Sequence, residues 1–134
     1  FRELVAHMVT DASSHIGYVA GMSRAESEKL TKKYNGIKTK AEFMKAMGES
    51  YDYGDKILST ITDKNAMDMV SGMRSEKMTR VEAALVAFED QMDHYGNLVV
   101  YLRLNGVVPP DTANADAERK RNEGKGGGME DMHH

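Results

Sequence analysis

The 134-residue sequence contains no cysteine. That excludes a disulfide framework, a cysteine nucleophile and thiolate metal ligands in one step. It leaves the compartment open, because cytosolic and exported proteins alike can lack the residue. Tryptophan is also absent, and aromatic residues make up 7%. There are two prolines, adjacent at Pro109 and Pro110, so nothing upstream of Val108 is interrupted by proline. No apolar run approaches the ~18 residues of a membrane span, and no secretory leader pattern opens the chain. Positive charge is not in excess either. Lys and Arg number 18 against 21 Asp and Glu, a net charge of −3, which offers no electrostatic footprint for nucleic acid.

What is present reads as helix. Hydrophobic residues make up 40%, enough for one modest core, and 11 of the residues are methionine, whose flexible side chains suit helix–helix packing. Phe1, Leu4, Val5, Met8, Ala12, Ile16, Val19 and Met22 recur at steps of three and four, one face of a helix already under way at Phe1. Sequence upstream of Phe1 is therefore expected to be missing. Residues 23–38 read as a polar connection, with a short helical turn between Ser27 and Tyr34 and a turn at Asn35-Gly36. Thr39-Lys40-Ala41-Glu42 has the form of a capping box and opens a helix over about 40–60, with Phe43, Met47, Tyr51, Gly54 and Leu58 on one face. A short helix is expected over Thr62–Val70, and Thr79-Arg80-Val81-Glu82 is a second capping box. The last helix carries Val81, Leu85, Phe88, Met92, Tyr95, Val99 and Leu102 as a heptad-like stripe and stops at Asn105-Gly106. No segment reads as strand, so no glycine-rich phosphate loop following a strand is expected, and no Ser–His–Asp triad can be placed. The fold expected is all-α, an antiparallel up-down four-helix bundle over residues 1–110. Residues 111–134 form a polar tail expected to be disordered or loosely packed, and His133-His134 carry no functional weight.

The last helix also holds the one constellation that points to chemistry. Asp90 and His94 are spaced i, i+4, which places them on one face about 5–6 Å apart at Cβ. That face lies opposite the bulky stripe and carries Ala83, Ala87, Asn97 and Tyr101, so the helix is expected to be buried on two sides, with the small-residue side lining a cavity. On the first helix His7 sits beside the apolar face, with Asp11, Ser14 and Tyr18 along the same stripe. His7 facing Asp90 and His94 across the bundle makes an open, three-ligand divalent metal site. Imidazole suits Zn, Ni, Fe or Cu, the carboxylate adds no discrimination, and the divalent ion expected is Zn, Ni, Mn or Fe. Asn97 and Tyr101 are the nearest groups for orienting a substrate. The structural alternatives are plain. Asp90–His94 is also an ordinary helix-supporting pair, His7 also fits as a core-edge residue, and His15 reads as a satisfied interior histidine.

The run His94-Tyr95-Gly96-Asn97-Leu98-Val99-Val100-Tyr101-Leu102-Arg103-Leu104-Asn105-Gly106-Val107-Val108-Pro109-Pro110 resembles the last long helix and exit turn of the DinB family. Phe1-Arg2-Glu3-Leu4-Val5-Ala6-His7 resembles the start of that family's second helix. The resemblance covers roughly residues 1–112. It implies a four-helix bundle, usually a homodimer, with a metal held by three residues that are typically all histidine. His7 matches the first of these and His94 the last, while Asp90 stands where histidine is common. A carboxylate there still ligates but favours harder metals, or else only orients His94. The resemblance further implies a first long helix ahead of Phe1, a bacterial protein of the cytoplasm or an exported one, and a transferase activity. Characterised relatives include S-transferases that use a low-molecular-weight thiol, bacillithiol or mycothiol, against a small-molecule electrophile. The alternative is a non-catalytic helical dimer or small-ligand binder with a degenerate metal site.

Overall fold

The structure is a computed structural model and describes residues 1–126. The chain forms two compact units, one from Phe1 to Gly96 and one beginning at Asn97. Its order is α1 (Arg2–Val19), α2 (Arg24–Thr31), a 3₁₀ turn (Lys32–Tyr34), α3 (Lys40–Leu58), a hairpin of β1 (Met69–Ser71) and β2 (Lys77–Thr79), α4 (Arg80–Leu104) and α5 (Pro110–Gly126). The all-α character stands, with one small hairpin added.

In the first unit α1 is the central element, buried along Met8, Val9, Ala12, Ile16 and Val19 as its periodicity requires. Residues 23–38, read as a connection, hold a helix that has its own capping box. The Ser23 hydroxyl accepts from the Glu26 N–H, and the Glu26 carboxylate accepts from the Ser23 N–H. Ser27 ties this helix to α1: its hydroxyl donates to the Ser14 carbonyl at 2.9 Å. Gly17 makes that approach possible, because a Cβ there would lie 3.1 Å from Ser27 Oγ.

The Thr39–Glu42 box opens α3 as expected. Its buried face is Ala46, Ser50 and Gly54, rotated from the expected one, and Tyr51 and Leu58 are exposed. Small residues spaced by four let α3 lie close to α1, with Ile16 against Gly54. Val9 packs with Ala46 in the first half of both helices, and Met22, just past the end of α1, meets Tyr53 in the second half of α3. The two helices therefore run parallel, α2 and the 3₁₀ turn carrying the chain back. The simple up-down alternation expected of the bundle is not seen here.

The helix expected over Thr62–Val70 is instead a single turn followed by a strand. The Asn65 side chain fastens that turn, accepting the Thr62 N–H and donating to the Thr60 carbonyl. The β-hairpin then pairs Val70 with Met78. Val70 joins Val19 and Ala83 in a second core cluster. Thr79, the last residue of β2, is also the N-cap of α4: its N–H and hydroxyl both donate to Glu82. A capping box at this point turns strand directly into helix.

The α4 segment of this unit packs on α1 through its small side, with Ala83 and Ala87 buried. Val19 clusters with Ala83, His15 faces Asp90 and Asp11 faces His94, so α1 and α4 are antiparallel. The bulky side is not covered by described residues. Leu85, Phe88 and Met92 are exposed, Phe88 at 63%, which corrects the expectation that both sides are buried.

In the second unit α4 ends as its sequence dictates. Gly106 takes φ +70°, and the Val107 N–H donates back to the Leu102 carbonyl, a glycine-terminated stop. Residues 111–126, expected to be disordered, are helical, with Pro110 in the first turn where its missing N–H costs nothing. Their side chains are almost all exposed, and pairs such as Arg121–Glu118 at 3.3 Å line the surface. The expectation for residues 127–134, including His133-His134, lies outside the described residues.

Candidate metal centre

Five titratable side chains from two antiparallel helices meet in one place. His7, Asp11 and His15 fall at successive i, i+4 steps on α1, and Asp90 and His94 at one such step on α4. At 3.6 residues per turn, i and i+4 share a face, so each helix presents its whole stripe to the other. The small residues Ala83 and Ala87 on α4 leave the volume for it.

His7 Nε2 lies 3.1 Å from Asp11 Oδ2, and His94 Nε2 lies 4.0 Å from the same oxygen. The His7 and His94 rings meet edge to face, with centroids 4.6 Å apart. Asp90 spans two histidines, Oδ1 at 3.5 Å from His94 Nε2 and Oδ2 at 3.9 Å from His15 Nε2. Among the described residues, two trios have donor atoms all within 4.8 Å of one another: His7–Asp11–His94 and Asp11–His15–Asp90. Asp11 is common to both.

The expected trio was His7, Asp90 and His94. The structure brings His7 and His94 together, and the carboxylate that completes their trio is Asp11, with Asp90 beside His94. Asp11 lay on the same stripe as His7 but was not singled out as a ligand; its i+4 spacing from His7 was the available signal. His15 is buried, 7% exposed, as expected of an interior histidine, but it is not satisfied. Neither its Nε2 nor Asp90 Oδ2 has a hydrogen-bond partner. Asn97 and Tyr101 belong to the second unit, and both are exposed.

Burial is the largest influence on Asp11 and raises its pKa above the ordinary 3.8. His7 opposes this, Asp90 adds to it, and His15 and His94 lower it. The carboxylate is thus held in a half-buried place where its negative charge is under-compensated, a condition a bound cation relieves.

The donor separations fit a cation better than they fit hydrogen bonds. Nitrogen and oxygen ligands sit about 2.0–2.2 Å from zinc, so two donors on one ion lie roughly 3–4 Å apart. Hydrogen bonds between the same atoms would be about 2.7–3.2 Å. Three of the four pairs, at 3.5, 3.9 and 4.0 Å, exceed the hydrogen-bond range. No family model, curated protein or solved structure matches the chain.

Proposed function

We propose that the chain is a metal-dependent enzyme of the DinB class, with a divalent ion held by His7, Asp11 and His94 and with Asp90 beside His94. The observation that carries this reading is the convergence of two imidazoles and a carboxylate from separate helices, with donor atoms within 4.8 Å of one another. The donor set suits zinc, nickel, iron or manganese. A divalent ion bound there supplies Lewis acidity, lowering the pKa of a thiol or water that joins it. Three protein ligands leave room for that extra ligand.

The chain's own residues define the rest. His7 is 52% exposed and His94 15%, so the site opens on the His7 side and closes on the α4 side. Substrate enters past His7. Asp11 and Asp90 supply the negative charge that balances a dication. The reaction class favoured by the DinB resemblance is S-transfer: a low-molecular-weight thiol loses its proton, its sulfur bonds to an electrophilic carbon, and the leaving group departs with the electron pair.

Titration of the metal-stripped protein with Co(II), followed by visible absorption, tests the reading. Ligand-field bands that saturate in the parent and vanish in His7→Ala support it. No bands in the parent remove it.

A second reading is favoured by the exposed Leu85, Phe88 and Met92 stripe: a helical homodimer that works through its surface. Sedimentation of the parent against Phe88→Asp tests it, the dimer being expected to dissociate in the variant.

A further inference from the structure

The centre contains more donors than one ion uses. His7, Asp11 and His94 complete one trio, and His15 and Asp90 remain. His15 is 93% buried by its 7% exposure, and its Nε2 points at Asp90 Oδ2 with 3.9 Å between them. That is too long for a hydrogen bond, and neither atom finds another partner. Leaving a buried polar atom unpaired costs about 1–3 kcal/mol, so two unpaired atoms facing each other are an expensive arrangement for a purely structural role. Their separation is what two ligands of one cation show.

We infer that the centre takes two divalent cations, with Asp11 shared between them, His7 and His94 holding the first, and His15 and Asp90 holding the second. The inference rests on the metal-binding reading above and extends it. Asp11 has donor atoms within 4.8 Å of both pairs, as a bridging carboxylate requires. Two aspartates offset two of the four positive charges. The two positions differ in chemistry. Two imidazoles and one carboxylate favour zinc or nickel, whereas two carboxylates and one imidazole favour a harder ion such as Mn(II). Paired cations of this kind clamp the attacking and leaving oxygens in hydrolysis of phosphoesters and amides. That class of substrate therefore joins the thiol-dependent one as a target for assay.

The test uses the full chain carrying His133→Ala and His134→Ala, so that terminal histidines contribute no metal. Stripped protein is dialysed against Mn(II) alone or Zn(II) alone, and metal per chain is measured. With Mn(II), electron paramagnetic resonance reports whether two ions are exchange-coupled. The expected result is two Mn(II) per chain with a coupled spectrum, falling to one uncoupled ion in His15→Ala. One ion per chain in both proteins overturns the second position and leaves the metal-binding reading standing. One ion in the parent that is lost in His15→Ala also overturns it, because His15 then serves a single site. No ion in either protein removes both readings. If His15→Ala loses its helical circular dichroism, Asp90→Asn takes its place, and an uncoupled spectrum in the parent alone is sufficient to overturn the pair.

Discussion

Asp11 faces His7 at 3.1 Å and His94 at 4.0 Å through the same carboxylate oxygen. One oxygen thus stands between imidazoles from two helices, on a carboxyl that burial makes harder to ionise. This relationship carries an energetic consequence as well as a chemical one. A group whose pKa is raised on folding contributes stability fully below its unfolded value and loses it as pH rises through the folded value. Asp11 therefore works against the metal-free fold at neutral pH.

The first prediction follows from that sign. Asp11→Asn removes the charge and keeps the shape. Urea unfolding in the presence of a chelator should show the variant at least as stable as the parent at neutral pH, the difference shrinking as pH falls through the raised folded value and gone below 3.8. Metal binding should be lost in the same variant. A variant less stable than the parent without metal would show that the His7–Asp11 pair is structural.

A second prediction concerns the strand-to-helix switch at Thr79. Hydrogen bonds from the Thr79 backbone N–H and hydroxyl lower the Glu82 pKa below its ordinary 4.5. That contribution is present above 4.5 and lost as pH falls through the lowered value. Glu82→Gln should be destabilised at neutral pH and should lose less stability than the parent on acidification. Thr79→Ala removes the cap itself and should cost about 1 kcal/mol. Urea midpoints across the acid range check both.

A third prediction tests the α1–α2 contact. Ser27 is fully buried, donates to the Ser14 carbonyl at 2.9 Å and sits where a Gly17 Cβ would be 3.1 Å away. Ser27→Ala should cost about 1 kcal/mol through the lost hydrogen bond. Ser27→Val should cost more, about 1–3 kcal/mol, because added methyl groups press on α1. Chemical denaturation of the two variants gives the order directly; equal losses would mean that packing against Gly17 is loose.

The helices were legible where local chemistry decides them. Thr39–Glu42 and Thr79–Glu82 mark the starts of α3 and α4, and Asn105-Gly106 marks the end of α4, because caps and left-handed stops are written in a few adjacent residues. The hairpin at Met69–Thr79 was not, since two three-residue strands leave no period to read and depend on Val70 finding Val19 and Ala83. The parallel run of α1 and α3 was hidden for the same reason: it follows from which small residues of α3 meet α1. The tail helix was missed because its composition is polar, while its Ala, Glu, Lys and Arg content favours helix without burial. At the centre, His7, Asp90 and His94 were visible by spacing. Asp11 and His15 were on the page as the same i, i+4 ladder, but the position of Asp11 between His7 and His94 and the burial of His15 without a hydrogen-bond partner are properties of the folded chain.

The most direct test is calorimetric titration of stripped protein with Zn(II), comparing the parent with His94→Ala, both carrying His133→Ala and His134→Ala. Removing an outer partner of a metal ligand commonly costs 10–100-fold in affinity, so loss of a ligand itself should weaken binding by at least about 100-fold. Saturable binding in the parent that falls by that factor in the variant is the predicted result. Equal binding in the two proteins, or no binding in either, would contradict a metal centre at His7, Asp11 and His94.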